Sequence, residues 1–302
     1  MTPLRQRFLE DLKLRNYAPR TIETYVRAVA HFARHFKRSP EHLGGEEIRA
    51  YQLHLLQRRV SWSMFNQVVC ALRLFYGMTL GRPGLVVMIP YGKKPKTLPC
   101  VLSAEEVGRL FAAAKPGRNR MLLQTAYALG LRLSELLHLQ VGDIDGGRGV
   151  VHVRLGKGGK DRFVPIAPRL LKLLRAWWLL HRSKTWLFPG AKPDQPLNAG
   201  SVQRLCRKAV TRAGLKKRAT MHTLRHSYAT HLLEAGVDVV TLQRLLGHAN
   251  LETTSRYLHL SARRLQNLPS LLDLLALPKR AATTSDMPLS SPPPPPSPEV
   301  RP

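Results

Sequence analysis

The residues that most restrict how this chain can fold are backbone breakers gathered in one place: Gly81-Arg82-Pro83-Gly84, then Pro90-Tyr91-Gly92-Lys93-Lys94-Pro95-Lys96. Proline locks φ and has no N–H to donate, and glycine loses more backbone entropy than any other residue, so no regular element is expected to cross this stretch. The apolar faces on either side must then be buried separately. A chain of 302 residues has room for two such domains. The lysines of the break predict an exposed basic linker over residues 83–98, with Lys93, Lys94 and Lys96 as candidate contacts to a phosphate backbone.

Before the break, residues 1–82 read as wholly helical. Ile22, Tyr25, Val26, Val29, Phe32, Ala33 and Phe36 fall on one face of a 3.6-residue period, while Arg20, Arg27, Arg34 and Lys37 fall elsewhere, which describes an amphipathic helix with a basic outer side. A second helix is predicted over Glu46 to Gln57 after Gly44-Gly45. A third follows Ser61 and turns Phe65, Val68, Val69, Leu72 and Phe75 inward, with Arg73 among its basic residues.

After the break, Ser103-Ala104-Glu105-Glu106 is a capping box that opens a helix. Helical spacing resumes from Met121 to Leu139. Gly149 to Leu155 and Arg162 to Ile166 read as two strands around the glycine-rich turn Gly156-Lys157-Gly158-Gly159-Lys160-Asp161, which puts Lys157 at a hairpin tip. Helices are then expected over Leu170 to Leu180, with Trp177 and Trp178 in the core, over Ala199 to Ala213, over Thr223 to Ala235 ending at Gly236, and over Val239 to Leu246 ending at Gly247. Asn250 is expected to cap a last helix carrying Tyr257. The remainder, residues 269–302, holds a short leucine-rich segment, Leu271 to Leu277, and a tail with Pro292 to Pro296 that is expected to be disordered or polyproline-like. The predicted fold class is mostly α with a small antiparallel β-sheet.

Charge narrows the partner. Lys and Arg number 48 against 19 Asp and Glu, a formal charge of +29, which implies a polyanion, with nucleic acid foremost. No apolar run approaches the roughly 20 residues of a membrane span, and Arg5, Arg7, Glu10 and Asp11 stand where a signal peptide would be apolar. A cytosolic protein with no membrane partner is expected. Cys70, Cys100 and Cys206 are far apart and form no CxxC pair, so neither a disulfide framework nor a zinc knuckle is indicated.

Within the second segment stand Arg132, Lys157, His222, Arg225, His248 and Tyr257. Arginine offers planar paired donors to phosphate oxygens, lysine can protonate a departing alkoxide, histidine moves protons near neutral pH, and tyrosine can attack phosphorus and be held covalently. These are the parts needed to break a phosphodiester without a metal or cofactor. Taken singly, a buried Arg or a Tyr on a helix is structural far more often than catalytic, and only the ordered set is specific. His222 and His226 stand at i and i+4 with His231 nearby, a spacing that can hold zinc, but no HExxH glutamate or thiol completes a site. His226 and His231 are therefore assigned to packing or to a DNA-facing position.

The ordered motifs Gly130-Leu131-Arg132-Leu133-Ser134-Glu135, Gly156-Lys157-Gly158-Gly159-Lys160, His222-Thr223-Leu224-Arg225-His226, Leu245-Leu246-Gly247-His248 and Thr253-Thr254-Ser255-Arg256-Tyr257 resemble the tyrosine recombinase, or phage integrase, signature in its bacterial Xer-like form. The resemblance runs from about Leu98 to Leu260. It extends more weakly to Tyr17-Ala18-Pro19-Arg20-Thr21-Ile22-Glu23-Thr24-Tyr25, which looks like the start of a SAM-like core-binding domain. It implies a core-binding domain over 1–82, a catalytic domain over 99–268, and a two-domain clamp on double-stranded DNA. It further implies a homotetramer on DNA, monomeric or dimeric when free, with accessory DNA-bending proteins as further partners.

By the same resemblance Arg132 and Arg225 hold the scissile phosphate and Tyr257 attacks to form a 3′-phosphotyrosine. Lys157 protonates the leaving 5′-oxygen, His222 accepts the phenolic proton, His248 donates to a phosphate oxygen and Glu135 orients Arg132. Arg20, Arg27, Arg73, Lys93, Lys94, Lys96 and Lys160 are the expected DNA contacts, and no metal or cofactor is expected. Site-specific recombination for a bacterial mobile element is the expected role. The alternatives are Xer-type dimer resolution, an integron integrase, a type IB topoisomerase, and a non-catalytic DNA-binding regulator.

Overall fold

The computed structural model describes residues 2–93, 95, 98–154, 161–248, 250–255 and 257–258. The chain forms two compact units, Met1–Thr97 and Leu98–Pro302. Among the described residues no helix is long and apolar enough to cross a membrane.

The first unit packs α1 (Pro3–Leu14), α2 (Pro19–Phe36), α3 (Gly45–Gln57), α4 (Trp62–Leu74) and the short α5 (Pro83–Val87) around Phe8, Leu12, Val29, Phe32, Ile48, Val69, Leu72, Phe75 and Ile89. Its ends follow local chemistry. The Thr2 hydroxyl caps α1 ahead of Pro3, the Ser61 hydroxyl accepts from the Met64 N–H to start α4, and Lys37 takes a left-handed conformation (φ 51°) that stops α2. Val26, Val29 and Phe32 of α2 are buried while Arg20, Arg27, Arg34 and Lys37 are exposed, as the period predicts.

The expected linker is exposed over most of its described residues, Val87, Met88, Tyr91 and Lys93 among them, but its backbone is anchored rather than loose. From Pro83 to Gly92 it is folded onto the first unit: Ile89 is fully buried, Arg73 donates to the carbonyls of Val86 (2.5 Å) and Ile89 (2.7 Å), Gln52 donates to Pro90 O at 3.2 Å, and Asn66 exchanges two 2.9 Å hydrogen bonds with Gly92. A breaker-rich segment lacks a ladder of its own, so side chains of the neighbouring helices satisfy its carbonyls.

The second unit holds α6 (Ala104–Ala113), α7 (Arg118–Ala128), α8 (Leu133–Leu137), β1 (Ile144–Asp145), β2 (Val150–Val153), β3 (Arg162–Pro165), α9 (Pro168–His181), α10 (Ala199–Arg212), α11 (Met221–Glu234), α12 (Val239–Leu246) and α13 (Leu251–Ser255). The strands form an antiparallel sheet in the order β1-β2-β3, with Val151 opposite both Ile144 and Val164. Its core includes Leu102, Leu110, Leu122, Leu123, Leu136, Val151, Val164, Leu174, Trp177, Phe188, Val202 and Leu224. The Ser103–Glu106 capping box forms reciprocally, at 3.1 and 2.8 Å.

Three expectations are corrected. The helical run from Met121 to Leu139 breaks at Gly130, whose φ of 58° ends α7 and whose missing Cβ leaves room for the Tyr228 ring. The two-residue β1 is too short to leave a periodic signal, and Tyr257 lies past the end of α13 rather than on it. The glycine-rich turn with Lys157 and Lys160, together with residues 269–302, lies outside the described residues.

Candidate active site

The site is built around one buried carboxylate. Glu135 lies in the first turn of α8, three residues after Arg132; its Oε2 accepts from the Arg132 N–H at 2.7 Å and its Oε1 from the Arg132 guanidinium at 2.6 Å. Arg162, at the start of β3, donates to both oxygens of the same carboxylate at 2.8 Å, and a guanidinium nitrogen of Arg225 lies 3.6 Å away. Burial would raise the Glu135 carboxyl, but the bonds and charges of Arg162 and Arg132 outweigh it and hold it at about 2. Glu135 thus carries its charge throughout the neutral range.

The second anchor is the C-terminus of α12. The last carbonyls of a helix have no partner within it and carry the negative end of its dipole. Here the final three meet an arginine apiece: Leu245 O accepts from Arg162 at 2.7 Å, Leu246 O from Arg225, and Gly247 O from Arg132 at 2.9 Å. Arg225 also donates to Gly130 O at 2.7 Å, which ties the turn after α7 to α11. Arg225 is 1% exposed, and burial followed by the like charge of Arg132 lowers it to about 10, so it remains cationic. Gly247 permits this arrangement through a φ of 61°; a Cβ there would lie 3.0 Å from Arg162 Cδ.

Tyr257 packs beside these arginines. It is 3% exposed, its N–H donates to Thr254 O at 3.0 Å, and its hydroxyl lies 2.8 Å from Nδ1 of His226. The His248 ring lies nearly parallel to the tyrosine, 6.4 Å between centroids at 11°, and its Nδ1 is 2.9 Å from the Thr254 hydroxyl. Burial, then the charges of Arg225, Arg132 and Arg162, push His248 down to about 3. His222, in the first turn of α11, retains an exposed surface, yet the surrounding protein and the charges of Arg225 and Arg132 lower its pKa as well. Near neutral pH both rings are neutral.

The sequence-predicted residues thus sort by position. Arg132, Glu135, Arg225, His222, His248 and Tyr257 come together in the second unit, whereas Lys157 and Lys160 lie outside the described residues. In the first unit Arg20, Arg27 and Lys93 are exposed, with Arg27 paired to Glu23; Arg73 is half-buried on main-chain carbonyls and stacks 4.9 Å over Tyr91; Lys94 and Lys96 are outside the described residues.

Two residues of the site are not marked by the sequence. Arg162 reads only as a strand residue, and a tertiary ion pair with a residue 27 positions away leaves no local pattern. His226 reads as a packing or DNA-facing residue, whereas its Nδ1 lies 2.8 Å from the Tyr257 hydroxyl; its place beside Arg225 is the available signal. His231 is bound through Nδ1 to the Tyr127 hydroxyl at 2.7 Å, and no metal-holding group of three or more His, Cys, Asp or Glu occurs among the described residues.

Comparison with known proteins agrees on one family. Residues 100–264 match the model of the phage integrase family, and residues 4–84 match that of the phage integrase N-terminal SAM-like domain. The chain is 42% identical over 280 residues to the proposed integrase/recombinase y4qK of Sinorhizobium fredii, covering 92% of this chain and 91% of that protein. It is 34% identical over 267 residues to tyrosine recombinase XerA of Thermococcus kodakarensis, covering 86% and 92%. Among solved structures, a XerA recombinase matches with TM-score 0.52 and 29% identity over 87% of this chain and 95% of that one. A lambda integrase tetramer bound to a Holliday junction matches in fold, with TM-score 0.71 and 20% identity over 83% and 75%.

Proposed function

The chain belongs to the phage integrase family of tyrosine recombinases, and from that premise we propose that it cuts and rejoins specific duplex DNA sites through a 3′-phosphotyrosine at Tyr257. The observation that carries this reading is the fixing of Arg132 and Arg225 on one buried carboxylate and one helix end, with Tyr257 and His248 packed beside them. Two preorganised guanidiniums can take the non-bridging oxygens of a phosphate and stabilise the charge that develops as phosphorus becomes pentavalent. His248, neutral and with Nδ1 engaged by Thr254, has its other ring nitrogen available to donate to a phosphate oxygen. Lys157 supplies the proton to the leaving 5′-oxygen. The phosphotyrosine retains the energy of the bond it replaced, so a free 5′-hydroxyl from another duplex reverses the attack without ATP.

The biological role we favour is integration or transposition of a bacterial mobile element, on paired duplexes held by four copies of the chain, with DNA-bending proteins as accessory partners. The charge of +29 and the proline-rich tail support it. The XerA relatives favour a second reading, resolution of chromosome or plasmid dimers. Nicked duplexes covering the DNA around the gene test both. A denaturant-resistant protein–DNA adduct at one mapped position, with recombinants from two marked duplexes, is the expected result. Adduct without recombinants would point to a topoisomerase, and specific binding without adduct to a regulator.

A further inference from the structure

The Tyr257 hydroxyl and His226 Nδ1 are 2.8 Å apart, with ring centroids at 5.6 Å. His226 follows Arg225 directly on α11, so the backbone that holds the buried arginine also sets the imidazole. One turn earlier, His222 stands edge to face against His226, 4.4 Å between centroids at 72°. We propose that His226, rather than the His222 expected from the family resemblance, is the group that takes the phenolic proton as Tyr257 attacks, and that His222 supports its ring. This deepens the reading of Tyr257 as the nucleophile and rests on it.

A phenol with an ordinary pKa of roughly 10 is neutral near pH 7 and attacks phosphorus poorly until the proton leaves. A proton acceptor must first lie within hydrogen-bond reach, and only then does its basicity count. His226 meets that condition in the folded protein. The Oη–H bond breaks and its proton passes to Nδ1, making the imidazolium; the electron pair left on Oη closes the bond to phosphorus. The bond from phosphorus to the 5′-oxygen breaks in the same event, and that oxygen takes a proton from Lys157. Rejoining runs the steps backwards, with the imidazolium returning its proton to Oη. His222, held neutral, adds no positive charge beside the acceptor.

The test is single-turnover adduct formation by the full chain on saturating nicked duplex, with duplex affinity and thermal melting measured alongside. His226→Ala and His226→Asn are each expected to slow the adduct by about 100- to 10,000-fold while binding is unchanged, and His222→Ala to slow it less than either. Asparagine keeps a polar amide close to Nδ1 but is not basic, so a parental rate in His226→Asn would reduce the histidine to a positioning role and overturn the proposal. If His226→Ala melts below the assay temperature, His226→Asn carries the test.

A ring-fluorinated tyrosine in place of Tyr257 has a more acidic phenol and depends less on a base. The His226→Asn defect is expected to shrink by at least about tenfold in that background, whereas an equal defect with both phenols would mark the role as structural and refute proton transfer. Tyr257→Phe separates the two layers. Adduct formed by that variant condemns the nucleophile reading itself, while its loss alongside an undiminished His226→Asn rate condemns only the histidine.

Discussion

Replacing Arg225 by alanine removes donors to the carbonyls of Gly130 and Leu246 and leaves Glu135 with one positive neighbour fewer. On the proposed reading it also removes one of the two groups that stabilise the transition state. Adduct formation is expected to slow by about 100-fold or more, equivalent to roughly 3 kcal/mol of barrier, and a quantitative adduct time course checks it. Tyr257→Phe is expected to stop the adduct altogether while affinity for duplex is retained, because ring packing and basic surface are untouched; a gel-shift titration set beside the adduct assay separates the two effects.

His248 makes the site sensitive to acid. Its folded-state pKa of about 3 lies below the ordinary value of 6.5, so between those limits the unfolded chain binds a proton that the folded chain does not. Stability is therefore lost as pH falls through that window, by at most roughly 1.4 kcal/mol per pH unit and less where solvent reaches the ring. His222 shifts in the same direction and adds to the slope. Urea melts of the second unit from pH 7 to pH 4.5 are expected to show the loss, and His248→Asn to flatten it; an unchanged slope in that variant would show that the acid sensitivity lies elsewhere.

Among the elements, α12 does the most to arrange the site, because its carbonyl end gathers Arg162, Arg225 and Arg132 from three other parts of the fold. Gly247→Ala tests it. Alanine at φ 61° is strained, and its Cβ would lie 3.0 Å from Arg162, so stability is expected to fall by about 1–2 kcal/mol and adduct formation to slow with it. Gly214 provides the control: its φ of 62° carries a similar backbone penalty, but nothing lies within 4 Å of a Cβ there. Gly214→Ala is expected to lower the melting temperature comparably and leave the adduct rate intact. Equal rate losses in both variants would mean that activity tracks stability alone.

For the whole molecule the dominant property is charge. An excess of +29 implies many phosphate contacts and the release of condensed counterions, so affinity for duplex is expected to fall at least about a hundredfold between roughly 50 and 200 mM salt. A nearly flat salt titration would sink the electrostatic account of binding. The charge is spread over both units, with Arg20, Arg27 and Lys93 exposed in the first and Arg204, Arg207, Lys208 and Arg212 along α10 in the second. Single substitutions at Arg20 or Arg27 are expected to weaken binding modestly and similarly for all sequences, since phosphate contacts position a protein without reading bases.

What the sequence determined by itself is what depends on near neighbours along the chain. Helix periods, the Ser103–Glu106 capping box, the stops at Gly236 and Gly247, and the i, i+3 spacing of Arg132 and Glu135 are all local, and the ordered motifs carry the family resemblance. Tertiary structure decided what depends on residues far apart in the chain. Arg162 reaches Glu135 across 27 positions, His226 reaches Tyr257 across 31, and Arg73 anchors the segment expected as an exposed linker through carbonyls 13 and 16 positions away. Buried guanidiniums and imidazoles choose partners by geometry in a nearly dry interior, where an unmatched polar group costs more than the match contributes; no pattern along the chain encodes that choice before the elements are packed.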